Sequence, residues 1–210
     1  MKVRRVSKVE HARRTQRERT EATRAALLAA GRHAFGAEGF ASVSTERLAR
    51  EAGMTRGALY HQFADKTQLF AAVLDQLEAE IAQRMLAAAA ALDPAGTAEL
   101  LLAGAAAFLD ACTEPDIQQI VLIDGPSVLG WERWREICLH HSVGLVAGLL
   151  ADGMQRGTIP AQPVEPLTHV LVGAIDEAAL YLARATDPVA ARADIDAVLR
   201  RLAAATTLAG

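Results

Sequence analysis

Aromatic residues make up only 4% of this 210-residue chain, and cysteine occurs just twice, as Cys112 and Cys138. With so few aromatics, any internal pocket should be lined by aliphatic groups and suit a mostly apolar small molecule. Two cysteines at that spacing make neither a disulfide framework nor a thiolate metal site. They point to free thiols in a reducing cytoplasm, with a bond between the two left open. Strand-like alternation is nowhere sustained, which argues against sheets. The longest apolar run is too short and too rich in Ala to span a bilayer, and no charged–apolar–small leader opens the chain, so a cytoplasmic protein off the membrane is expected.

Enzyme signatures are missing as well. There is no Gly-rich phosphate loop ending in Gly-Lys, no paired-His metalloprotease helix and no Cys-x-x-Cys. Gly125-Pro126-Ser127-Val128 lacks the second Gly that a nucleophile elbow requires. His140 and His141 are adjacent, so on a helix they point about 100° apart and do not share a metal. Asp176 and Glu177 read as a solvated or dimer-facing patch rather than an acid–base pair. No metal, cofactor or catalytic residue is expected.

What is present is Ala, Leu and charge. Hydrophobic residues make up 51% of the chain, enough for a substantial core, and the composition predicts an all-α fold. The net charge of −3 hides an asymmetry: residues 1–66 hold 14 Lys and Arg against 7 Asp and Glu, and residues 67–210 hold the other 8 and 18. A basic head on an acidic body is the footprint of a protein that touches phosphate at one end. The division expected is a basic flexible arm over 1–14, a basic head domain over 15–66, read below as DNA-binding from its motif, and a helical body over 67–210.

Residues 44–66 carry the densest signal. Ser44 is a good N-cap for a short helix over 45–52, with Leu48, Ala49 and Ala52 on one face. Gly53 supplies the left-handed stop, and Thr55 caps a second helix over 56–63 with Leu59 and Phe63 turned inward. Two short helices across a tight Gly turn form a helix-turn-helix, whose second helix enters the DNA major groove. Thr55, Arg56, Ala58, Tyr60, His61 and Gln62 lie on or beside that helix, and Gly57 would allow close approach to a duplex. Asp65 caps the next helix with Gln68 at the reciprocal position. Lys66, a cation in a first helical turn, points to an outside anion such as phosphate.

These residues resemble the DNA-binding domain of TetR-type transcriptional regulators. The resemblance runs from Leu27-Leu28, Ala30, Phe35 and Gly39-Phe40 through Leu48-Ala49, Ala52-Gly53, Thr55-Arg56-Gly57-Ala58-Leu59-Tyr60-His61, Phe63, Lys66 and Leu69, the first third of the chain. Three positions depart from the pattern. Gly31 and Ala34 stand where Ala and a larger aliphatic are usual and should loosen the first helix; Val43 replaces Thr, removing a hydroxyl that Ser44 and Thr45 can supply. By motif position, Arg56, Ala58, Thr55 and Gln62 would face base edges, while Ser44, Thr45, Tyr60, His61 and Lys66 would hold phosphates.

Further helices are expected over 15–37, opened by the capping box Thr15-Gln16-Arg17-Glu18, and over 66–91, 98–112, 116–123, 131–153, 166–185 and 188–208. Asp93-Pro94 and Gly125-Pro126 act as breaks. The last two helices carry apolar stripes that pack within one subunit or, as the resemblance implies, meet a symmetry mate in a homodimer. The resemblance further implies a repressor that binds double-stranded DNA at a palindromic operator and is released by a small-molecule effector. Phe108, Cys112, Ile120, Asp124, Trp131, Trp134 and Tyr181 are the candidate pocket residues. Two other readings are a regulator of the same fold governed by a protein partner or by no ligand, and a helical enzyme that keeps the head as a relic.

Overall fold

A computed structural model describes residues 3–92 and 96–207, with side chains for 17–92 and 96–205. Among these residues the fold is all-α, without strands. The order is α1 (Val3–Ser42), α2 (Thr45–Glu51), α3 (Arg56–Gln62), α4 (Lys66–Ala90), α5 (Thr97–Ala111), α6 (Pro115–Ile117), a π segment (Gln118–Asp124), α7 (Gly125–Leu129), α8 (Trp131–His140), α9 (Ser142–Gln155), α10 (Val164–Ala183) and α11 (Pro188–Thr207). The chain divides into compact units over 1–73 and 74–210, so the division falls inside α4 rather than at its start. The break expected at Asp93-Pro94 lies outside the described residues.

The helix expected to open at Thr15 begins at Val3, so the backbone of the basic stretch is helical from there on. No Gly or Pro precedes Gly31, and a run of Arg, Lys, Glu, Gln and Ala propagates a helix past any internal capping pattern. Gly39, with φ 76° and ψ 158°, is the non-helical residue that interrupts α1. Phe40 beyond it lies 5.7 Å from the ring of Phe35 and 5.3 Å from that of Phe70. Leu27, Phe35, Leu48, Leu59, Leu69 and Phe70 are fully buried and form this unit's core. Gly31 does not loosen the first helix: a Cβ there would stand 3.0 Å from Val73 Cγ2, so the missing side chain lets α1 and α4 approach closely. Val43, at 2% exposure, is part of the same core.

In the second unit α5 packs against α9, α10 and α11, and α10 also packs against α9 and α11. Two expectations fail here. Gly125-Pro126 does not end a helix; the chain passes through the π segment into α7 and stops at Gly130, whose φ is 76°. Pro126 has no N–H to donate and its ring crowds the preceding turn, and a widened π turn just before it takes up both defects. The helix expected over 131–153 breaks at His141 (φ −116°, ψ −102°), and α8 and α9 meet at 55°. Both residues at the break are held by acids of α4: His141 Nε2 lies 2.9 Å from Asp75 Oδ1, and Ser142 Oγ donates to Glu78 Oε2 at 2.6 Å. Among the described residues no single helix is long and apolar enough to cross a membrane; α8 and α9 meet that measure only as a bent pair.

Candidate functional site

The head is built from its caps upward. Ser44 Oγ accepts from the Arg47 amide at 3.3 Å, and Thr55 Oγ1 accepts from the Ala58 amide at 3.2 Å. Between them Gly53 takes φ 69°, the left-handed stop of α2. Leu59 and Phe63 turn inward, the latter under the guanidinium of Arg24 at 4.6 Å. Arg47 bridges Glu38 at 2.5 Å and Glu51 at 2.6 Å, pinning α2 to α1. The opposite face of α3 is left to solvent: Thr55, Arg56, Gly57, Tyr60 and His61 are exposed, Ala58 and Gln62 half-buried.

Several of the residues expected at DNA come together there. Arg56 Nη1 lies 2.6 Å from Glu46 Oε1, and its Nη2 donates to the Tyr60 hydroxyl at 3.4 Å, with the guanidinium 5.4 Å from the Tyr60 ring centre. Thr45 Oγ1 lies 3.4 Å from that same hydroxyl. The bonds from Thr45 and Arg56 lower the Tyr60 pKa. Ser44 sits at the rim as cap and exposed hydroxyl.

Lys66 is placed differently from the expectation. Its ammonium donates to the carbonyls of Phe40 and Val43, both at 2.8 Å, and lies 4.0 Å from the centre of the Phe40 ring. The cation answers acceptors at the end of α1 instead of waiting for an outside anion. Burial lowers its pKa.

The second unit contains a partly open cavity of about 190 Å³. Of the residues proposed from sequence, Phe108 and Trp134 line it. Trp134 is fixed there by its indole N–H, which donates to the Val121 carbonyl at 3.1 Å. Cys112 and Ile120 are buried elsewhere in the core, and Asp124 is half-buried outside the lining. Trp131 and Tyr181 are 63% and 59% exposed, so neither is a pocket aromatic. Each sits on a helix flank that solvent reaches, which a three- or four-residue spacing alone does not distinguish from the inner one. Both cysteines are free and buried.

Sequence reasoning missed the polar end of this cavity, where Glu78, Arg135, Ser142 and Asp176 line the wall beside Cys138. Asp176, with its side chain 24% exposed, is therefore not the fully solvated acid expected of it, although Glu177 is exposed. Burial pushes the Asp176 carboxyl up to about 6 and raises that of Glu78. An acid that holds its proton more tightly when folded adds most stability when protonated, and that contribution is lost as pH rises through its folded pKa. The melting temperature of Asp176→Asn, which cannot ionise, should accordingly gain on that of the unchanged protein between about pH 4 and pH 7. A difference that stays constant across that range would show that Asp176 titrates normally. Among the described residues no group of His, Cys, Asp and Glu could hold a metal ion.

A helix-turn-helix head with an exposed arginine and hydroxyl face, joined to an all-helical unit with a cavity, is the architecture of a DNA-binding regulator. Residues 27–73 match the family model for bacterial regulatory proteins of the tetR family, and residues 98–206 match that for the tetracyclin repressor-like C-terminal domain. A crystal structure of a TetR-family regulator from Pectobacterium atrosepticum is 33% identical, with a TM-score of 0.75, covering 92% of this chain and 98% of that one. The Tn10 TetC protein of Escherichia coli is 23% identical over 75% of this chain and 79% of its own length. The regulator TtgR of Pseudomonas putida is 43% identical over 65 residues, 31% of this chain and 30% of its own. The chain belongs to the TetR family of DNA-binding transcriptional regulators. Proteins of this family are regulators and not enzymes, which removes the relic-enzyme reading.

Proposed function

We propose that the protein acts in the cytoplasm as a homodimeric repressor that holds a palindromic operator and leaves it when a small, mostly apolar effector enters the cavity. The observation that carries this reading is the cluster that Thr45, at the start of α2, makes with Arg56 and Tyr60 on the exposed face of α3, beside Thr55 and Gly57. Arg56 is the side chain there able to reach a guanine edge with two donors, while hydroxyls of Ser44, Thr45 and Tyr60 suit phosphates. The dimer reading is supported by apolar side chains left exposed on the last two helices, Val170 and Tyr181 on α10 and Val198 and Leu202 on α11. Gly173, where an added Cβ would meet nothing within 4 Å, leaves room for a helix of a second copy. Two heads related by two-fold symmetry read twice the sequence that one short α3 can.

Genomic fragments selected on the purified protein should yield a palindrome whose half-sites lie about one helical turn, or a multiple of it, apart. On that site Arg56→Ala should cost about 1–3 kcal/mol and relax preference at one base pair in each half. An equal loss on specific and random DNA would reassign Arg56 to the phosphates.

A further inference from the structure

The wall of the cavity passes from buried to open along the helices that build it. Glu78, Arg135 and Ser142 stand at one end, each almost wholly buried. Leu86, 53% exposed, and the half-buried Ala89, Leu100 and Leu149 line the other. Thr97 Oγ1 lies 2.7 Å from Thr158 Oγ1 and packs on Gly153, so the start of α5 lies beside the end of α9. Met85 of α4 packs on Gly104 in the middle of α5. Leu202, the other exposed lining residue, belongs to α11, which the dimer reading gives to the second copy.

Length and volume together describe a bore. Lining positions run from Glu78 to Ala89 on α4, from Leu100 to Phe108 on α5 and from Ser142 to Leu149 on α9. At the rise of an α-helix these stretches measure about 10–16 Å. An apolar cavity of about 150 Å³ takes the six carbons of benzene, so one of about 190 Å³ takes about eight. About eight carbons along that length sit roughly one C–C bond apart, in single file.

The buried end holds no partner for a polar head. Glu78 accepts from Ser142 Oγ at 2.6 Å and from Cys138 Sγ at 3.5 Å. Arg135 Nη2 meets His169 Nδ1 at 3.2 Å, Nη1 faces Asp176 Oδ2 at 3.7 Å, and Nε is buried out of reach. A head driven to that end would exchange its water for groups already engaged with one another, whereas beside Leu86 it keeps its water.

We infer that the effector carries an unbranched alkyl chain, about eight carbons of which fill the cavity with the tail at the buried end and the head in water beside Leu86. This rests on the reading that the cavity receives the effector.

The probes are 1-alkanols of four to twelve carbons, added to the full-length protein near neutral pH. Binding is followed by the shift in melting temperature and by the emission of Trp131→Phe, whose remaining tryptophan, Trp134, lines the cavity. Affinity should rise about fourfold per carbon, as about 0.8 kcal/mol per buried CH₂ requires, up to about eight carbons and by less than about twofold per carbon beyond. A gain that stops short of six carbons, or continues undiminished to twelve, overturns the bore. Cyclooctanol, with the same carbons as octanol closed in a ring, should bind at least about tenfold more weakly; binding within that margin overturns the single file. Octanol, octanoate and octylammonium should agree within about fivefold, and Asp176→Asn should leave that agreement intact. A wider spread overturns the outward head. Octanol should also release the selected operator, and chain binding without release overturns its role as effector. Binding of no probe, up to the solubility limits, removes the cavity as an effector site together with the chain. The melting shifts of the unchanged protein decide even if the variants fail to fold.

Discussion

Replacing Lys66 with methionine should destabilise the amino-terminal unit by about 2–4 kcal/mol, and operator binding should fall because the head melts. The methionine keeps the apolar stem and removes the ammonium that donates to the Phe40 and Val43 carbonyls. Both carbonyls lie in the segment where the chain leaves α1 after Gly39 and turns into α2. Stripping the Val43 carbonyl of this donor costs about 1–3 kcal/mol, while the Phe40 carbonyl loses a charged donor but keeps the Val43 amide at 3.3 Å. The contact with the Phe40 ring goes as well. For a unit of this size the melting temperature should drop by about 8–20 °C. Amide exchange would localise the loss to α1–α3 while the second unit keeps its protection. The rival role, a phosphate clamp, makes the opposite forecast: an unchanged melting temperature with a salt dependence shallower by about one phosphate.

The second large effect is expected at Gly125, where α7 begins. A Cβ at this position would lie 2.7 Å from Trp134 Cδ1, 2.8 Å from its Nε1 and 2.9 Å from Leu74 Cδ1. The indole cannot swing away freely, because its N–H is committed to the Val121 carbonyl. Gly125→Val should therefore cost about 2–4 kcal/mol in the second unit, from overpacking and from the broken indole hydrogen bond. Calorimetry should show the second unit melting early. Binding of a small apolar molecule in the cavity should weaken too, since Trp134 is part of its wall. A variant that melts normally with an unshifted Trp134 emission would mean that α7 can withdraw from α8 at no cost.

These two residues also mark the limits of sequence reasoning. The head was legible because its determinants are local. Ser44, Gly53 and Thr55 stop and start helices through bonds to neighbours three residues away or through their own φ, and Leu59 and Phe63 keep helical spacing. Lys66 was legible as unusual, but its partners lie 23 and 26 residues back, and nothing in the pattern names them. The body was harder for the same reason. The break at His141 involves no Pro or Gly at that position; it is matched by contacts to acids 66 and 64 residues earlier on α4. Glu78 and Asp176 look like ordinary solvated acids in sequence, and their burial follows from which helices happen to close over them. Phe108 and Trp134 were found because a large apolar group in a helical body is usually internal, and the same rule misplaced Trp131 and Tyr181.

The tethering of Arg56 to Glu46 and Tyr60 has a consequence in the currency of conformational entropy. An exposed arginine ordinarily samples many rotamers, and freezing it at a base edge costs about 2 kcal/mol. Here the side chain is already confined between a carboxylate and a ring in the free protein, so much of that ordering is complete before DNA arrives. The pairing with Glu46 contributes little to folding, as expected of a solvent-exposed ion pair. Under the proposed reading its effect falls on recognition: a side chain already confined beside Tyr60 has less freedom to lose at the groove, and a base must displace Glu46 from Nη1 and the Tyr60 hydroxyl from Nη2.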